Sequence, residues 1–116
     1  MSDCLFCKIV DGEIPSTKVY EDEFVYAFKD INPQAPFHAV IIPKEHILNS
    51  AADVTAENSA IIAKVFEAAA KIAKENNLDK GFRIITNSGE YGAQSVFHIH
   101  FHLLSGKFLG DNLINV

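Results

Sequence analysis

The chain has 116 residues, 48% of them hydrophobic and 22% charged, with a net charge of −5. That length fits one domain spanning residues 1–116, and the apolar content suffices for a core. The acidic balance argues against gripping nucleic-acid backbones, so no nucleic-acid partner is expected. With no apolar run of about 18 residues, no membrane helix is expected either.

Met1-Ser2-Asp3-Cys4 carries neither the basic nor the apolar region of a signal peptide, so a cytoplasmic location is expected. Residues 4–10 read as a short helical or extended lead-in, punctuated by Gly12 and Pro15. Val19-Tyr20 and residues 24–28 flank Glu21-Asp22-Glu23, which suits a hairpin. Residues 30–36 read as an ordered loop stiffened by Pro33 and Pro36. Residues 37–42 read as a strand ended by Pro43. Thr55 is a candidate N-cap, with Glu57 favourably placed in a first helical turn. From there the spacing of Ile61, Ile62, Val65, Phe66, Ala69, Ile72 and Ala73 predicts a helix to about Asn77. That stripe is core packing rather than a binding face. Asparagine tolerates the left-handed conformation, so Asn76-Asn77 suits the helix end. Residues 81–87 read as a strand, and residues 88–94, with Gly89 and Gly92, as a loop. Several antiparallel strands with one long helix make an α+β domain.

The loop delivers the chain into His98-Ile99-His100-Phe101-His102, which holds three of the five histidines. Side chains alternate faces along a strand. The three imidazoles therefore share one face, and Phe97, Ile99, Phe101 and Leu103 form an apolar face opposite. Histidine serves as base, nucleophile or metal ligand near neutral pH. A cluster in phase on a strand with an apolar back reads as a working site. Cys4 and Cys7 form one CxxC pair. In a reducing compartment this reads as metal or redox chemistry rather than a structural disulfide. Two inert small hydrophobes and an oxidisable dithiol are the alternatives.

His98-Ile99-His100-Phe101-His102-Leu103-Leu104 resembles the histidine-triad pattern of the family of that name. Asp30-Ile31-Asn32-Pro33-Gln34-Ala35-Pro36-Phe37-His38, Ile42-Pro43-Lys44-Glu45-His46 and Gly92-Ala93-Gln94-Ser95-Val96 resemble, in order, further segments of its Hint branch. The resemblance extends to Leu104 and does not cover residues 105–116. It implies an antiparallel sheet of about five strands with a long helix and a short N-terminal helix. It also implies a homodimer whose subunits pair into one ten-stranded sheet.

For function, the resemblance implies hydrolysis of purine nucleoside 5′-phosphoramidates to a nucleoside monophosphate and an amine. His100 is then the nucleophile, forming a covalent nucleotidyl intermediate. His38 orients it, His102 contacts phosphate and helps the leaving group, His98 supports the site, and Ser95 lies on the leaving-group side. Phe6, Ile14, Phe28 and Ile31 would line a purine slot with weak adenine–guanine discrimination. Asp30, Asn32 and Asn87 would hold the sugar. Ala93, Gln94, Ser95 and Val96 would surround the phosphate. Ala93 departs from a glycine common at that place, and its methyl group bears on the loop's dihedral angles. No cofactor is required for catalysis. The resemblance also suggests a structural zinc on Cys4, Cys7, His46 and His98, ligand types that suit a tetrahedral ion. The alternatives are a dinucleoside polyphosphate hydrolase and a nucleotide-binding regulator with little catalysis. Superfamily nucleotidyl transferases end the motif in glutamine, and Leu104 disfavours that class.

Overall fold

In the computed structural model, which describes residues 4–111, the apolar runs and turn residues settle into five strands and two helices. The strands are β1 (Lys18–Glu21), β2 (Val25–Lys29), β3 (Phe37–Pro43), β4 (Arg83–Ile85) and β5 (Phe101–Ser105). They form one antiparallel sheet in the order β1-β2-β3-β5-β4. Helix α1 (Leu5–Val10) lies on one face and α2 (Ala60–Glu75) on the other. The α+β class, the strand number and both helices agree with the sequence expectation. Among the described residues no helix is long and apolar enough to cross a membrane.

Strand β3 is apolar almost throughout because it is covered on both sides. Its alternation sorts the core into two halves. Ala39 and Ile41 join Val25, Ala27 and Leu103 beneath Val65, Ala69 and Ile72 of α2. Val40 and Ile42 join Tyr26 and Phe28 beneath Phe6 and Ile9 of α1. His38 shares the parity of Val40 and so belongs to the α1 face.

Strand β4 is shorter than the expected 81–87, and three further features differ from expectation. The long helix begins at Ala60, with Ser59 rather than Thr55 at its N-cap. Asn58 explains this. Its Oδ1 accepts from the Thr55 N–H at 2.8 Å and its Nδ2 donates to the Asp53 carbonyl at 3.1 Å. Such local bonds compete with helix formation. Phe66 leaves the stripe as well. It is half exposed and meets Phe101 edge-to-face at 6.1 Å. The histidine strand is the third case, with ladder pairing only from Phe101 onward. The helix end is as expected. Asn77 takes φ +57°, and the Leu78 N–H closes on the Ala73 carbonyl.

Gly106 follows β5 at φ +98°, where an added Cβ would lie 2.7 Å from the Pro36 side chain. This glycine lets the chain leave the sheet beside the 30–36 loop.

Ile72 is fully buried between α2 and the sheet. Ile72→Ala should cost about 2 to 5 kcal/mol, as truncations in a packed core do. Urea unfolding checks this. A shift of the midpoint worth less than about 1 kcal/mol would mean the layer is loosely packed.

Candidate active site and metal cluster

The parity of β5 persists upstream although the ladder does not. Ile99, Phe101 and Leu103 pack under α2, leaving His98, His100 and His102 on the α1 face. Phe97 is exposed and does not join the apolar face. The ladder stops because its backbone groups bond elsewhere. The His100 carbonyl accepts from Thr86 Oγ1 at 2.7 Å, and the Ile99 N–H donates to the Leu48 carbonyl at 2.9 Å. The His98 carbonyl accepts from His100 Nδ1 at 2.9 Å. Two of the three imidazoles are also not displayed to solvent, since His98 and His100 are buried.

Each ring's neighbours decide which nitrogen carries its proton. A carbonyl only accepts, so His100 Nδ1 bears the hydrogen, and the neutral ring keeps a lone pair at Nε2. His98 Nε2 donates to the Pro43 carbonyl at 2.8 Å, which leaves its Nδ1 as a lone pair. The Gln34 N–H donates to His38 Nδ1 at 3.0 Å, so His38 holds its proton at Nε2. That proton points to His102 Nδ1 at 2.9 Å, and His102 keeps an N–H at Nε2. Burial, before any other cause, pushes His98 and His102 down to about 4 and lowers His100 as well. All three are neutral at pH 7. For His102 the nearby His100 and His38 add to the shift, and Asp30 opposes it.

A cavity of about 350 Å³ opens in front of these rings. Phe6, Ile14, Phe28 and Ile31 line it as expected, with Asp30, Ser95, His100 and His102 among its polar groups. Leu5, Ile9 and Val40 complete its apolar wall. They were missed because a single apolar residue reads as core by default. Hollows of about 480 and 630 Å³ elsewhere carry no histidine or cysteine.

Several expected site residues stand elsewhere. His38 bonds His102 rather than His100, with Asp30 Oδ2 3.4 Å from its Nε2. Asn32 is exposed, and its backbone N–H donates to Asp30 Oδ1 at 2.8 Å, so it orients Asp30. Asn87 is half-buried and does not line the cavity. Val96 packs against the α1 half of the core. The Ala93 and Gln94 N–H groups are spent on the carbonyls of Glu90 and Gly89. Ala93 holds φ +61°, the dihedral a glycine would take more cheaply. The Gln94 side chain is buried and ties the loop together. Its Nε2 donates to the Asn49 and Val96 carbonyls, and its Oε1 accepts from the Gly89 N–H. Gly92 is required by close approach, because a Cβ there would lie 2.6 Å from the Ser88 carbonyl oxygen. Gln34, Thr86 and Asn49 went unnoticed in the sequence, since they act through backbone groups or on partners distant in the chain.

Behind the rings lies a second cluster. Cys4 Sγ is 3.2 Å and Cys7 Sγ 3.5 Å from His98 Nδ1, and Cys7 Sγ is 3.5 Å from His46 Nδ1. His46 Nε2 donates to Asn49 Oδ1 at 2.7 Å, so its Nδ1 is a lone pair too. Two thiols and two imidazole lone pairs thus converge, all four atoms lying within 4.8 Å of one another. This donor set fits a tetrahedral metal ion. His98 has neither ring nitrogen facing the cavity, so it does not act on a ligand there. Asp30, His38 and His102 also converge. Gln34 keeps the His38 proton on the nitrogen a metal would need, so this set does not suit an ion.

Between the ordinary histidine pKa of 6.5 and about 4, the unfolded chain binds a proton that folded His102 refuses. Stability should therefore fall as pH drops through that window, by up to about 3 kcal/mol from this residue. Urea midpoints should fall less steeply from pH 7 to 4 in His102→Gln than in the wild type, where His98 and His100 contribute the remaining slope. An equally steep profile in the variant would place the proton uptake elsewhere.

Residues 3–114 match the family model described as "Scavenger mRNA decapping enzyme C-term binding". The chain is 48% identical over 107 residues to the "14 kDa zinc-binding protein" of Zea mays, covering 91% of this chain and 84% of that protein. It is 44% identical over 112 residues to the "Purine nucleoside phosphoramidase" of Escherichia coli, covering 96% of this chain and 93% of that protein. A solved HIT family hydrolase from Clostridium thermocellum superposes with a TM-score of 0.93 at 46% identity, covering 98% of this chain and 99% of the other. With these matches spanning nearly its whole length, the chain belongs to the histidine-triad (HIT) family.

Proposed function

We propose that this HIT-family nucleotide hydrolase cleaves purine nucleoside 5′-phosphoramidates, with His100 as nucleophile. The observation that carries this is the proton arrangement on His100. Its Nδ1–H is anchored on the His98 carbonyl, its ring is neutral, and its Nε2 lone pair belongs to a residue lining the cavity. The relative in Escherichia coli named a purine nucleoside phosphoramidase supports the bond type.

Substrate enters with its base against Phe6, Ile14, Phe28 and Ile31, which offer flat apolar contact and little reading of base edges. Asp30 accepts from the ribose hydroxyls through a carboxylate that Asn32 orients. Arrival of the phosphate's negative charge draws a proton from solvent onto His102 Nδ1, and Asp30 Oδ2, 3.8 Å from that nitrogen and 3.4 Å from His38 Nε2, is the counter-charge. His100 Nε2 then bonds to the α-phosphorus as the P–N bond breaks. His102 Nε2 gives its proton to the departing amine, and Ser95 donates to the same side of the phosphate. Water next bonds to phosphorus, the phosphorus–His100 bond breaks, and the water's proton returns to His102. Nucleoside monophosphate leaves.

Zinc on Cys4, Cys7, His46 and His98 would act as a structural staple and takes no part in these steps. The printed name of the Zea mays relative supports that ion. We further propose a homodimer joined through β4. That edge leaves Phe82 and Ile85 exposed, whereas the opposite edge, β1, is guarded by the Lys18–Glu21 and Lys44–Glu21 ion pairs. The cytoplasm is the proposed location.

Two measurements test the reading. Hydrolysis of a fluorogenic adenosine phosphoramidate should fall by at least about 1,000-fold in His100→Ala while adenosine monophosphate still binds. Turnover that persists in the variant would remove His100 from the nucleophile's role. Wild-type binding without turnover would favour the polyphosphate hydrolase or the regulator. Protein purified without chelator should carry about one zinc per chain by elemental analysis, and Cys7→Ala should carry far less. Equal metal content in the two would rule the cluster out as the zinc site.

A further inference from the structure

The Cys/His cluster touches the nucleotide cavity at three places. The first is α1. This helix has six residues, too few to hold itself together in water. Cys4 caps its N-terminus, accepting from the Cys7 N–H at 3.2 Å, and Cys4 and Cys7 both belong to the cluster. The same helix supplies Leu5, Phe6 and Ile9 to the cavity wall. The Phe6 ring meets His98 at 6.0 Å and His100 at 4.9 Å, both edge-to-face. The second is His98, whose Nδ1 faces the cluster and whose carbonyl anchors His100. The third is Asn49. Its side chain orients His46, while its carbonyl receives Gln94 Nε2 at 2.6 Å. Gln94 in turn braces the loop that presents Ser95.

We propose that the cluster and the nucleotide cavity are one thermodynamically coupled unit, with Asn49 as a positioning residue that acts through metal occupancy. An ion in the cluster ties α1, the segment around His46 and the segment around His98 to one another. The first and the last of these carry cavity-wall residues, and the His46 segment braces, through the Asn49 carbonyl and Gln94, the loop that presents Ser95. Ordering them beforehand removes a cost that nucleotide binding would otherwise bear, so an ion raises nucleotide affinity. Linkage demands the converse in equal measure: nucleotide raises metal affinity by the same factor. Nothing in this needs the ion to touch the substrate, and it rests on the reading of the cavity as a nucleotide site.

The test uses the full chain with zinc and adenosine monophosphate as probes. Calorimetry gives nucleotide affinity with zinc loaded and stripped, and competition with a chromophoric chelator gives zinc affinity with and without nucleotide. Far-UV circular dichroism accompanies both. The expected result is a change of at least about fivefold, equal in the two directions. Asn49→Ala keeps all four ligands and the carbonyl to Gln94, so it separates loss of fold from loss of coupling. It should weaken zinc by about 10- to 100-fold and weaken nucleotide at limiting zinc, with nucleotide affinity restored by excess zinc. Nucleotide affinity that differs by less than about twofold between loaded and stripped protein would overturn the proposal. So would a defect in Asn49→Ala that excess zinc does not rescue. If nucleotide binds neither form, the cavity is not a nucleotide site, and the reading beneath the proposal falls with it.

Discussion

Two hydrogen bonds from imidazole to backbone organise this molecule's chemistry. His100 gives its Nδ1 proton to the His98 carbonyl, and His98 gives its Nε2 proton to the Pro43 carbonyl. Each bond chooses a tautomer, and each choice aims a lone pair. His100 keeps its lone pair at Nε2, on a residue that lines the cavity. His98 aims its own backwards at two thiols. One short stretch of chain therefore serves two sites on opposite sides of a row of rings. Burial keeps the rings neutral, so neither arrangement is lost to protonation near pH 7.

The scaffold makes those bonds affordable. Carbonyls within a regular ladder are already engaged, and β5 begins only at Phe101. The residues just before it keep the alternation of a strand while their backbone groups bond to side chains and to Leu48. Thr86, on the chain beyond β4, holds the His100 carbonyl and keeps this segment beside the sheet without a ladder. The α2 half of the core, through Ile99, anchors the other side of the same segment. The structural bracing and the chemistry thus use alternate residues of one extended run.

The loop of residues 88–96 illustrates a different economy. Its backbone N–H groups at Ala93 and Gln94 bond to the Glu90 and Gly89 carbonyls and close the loop on itself. Gln94 is buried and braces three backbone groups. The loop is rigid by its own bonding, and what it offers the cavity is a single hydroxyl, that of Ser95. Asn32 follows the same pattern, serving Asp30 rather than a ligand.

The period-two spacing of His98, His100 and His102, the CxxC pair and the apolar runs were enough to anticipate an α+β domain, a histidine face and a cysteine pair suited to metal or redox chemistry. These properties depend on alternation and short-range spacing, which a linear chain carries directly. The cavity wall was legible only through the resemblance to the histidine-triad family, since Phe6, Ile14 and Phe28 taken singly read as core. What the sequence alone did not decide was which histidine serves which partner. That depends on where carbonyls such as Pro43 and amides such as Gln34 and Asn49 arrive in space. Backbone groups look alike at every position, so only the tertiary structure can assign them. It paired His38 with His102 instead of His100, turned His98 away from the cavity, and let Asn58 delay the long helix to Ala60.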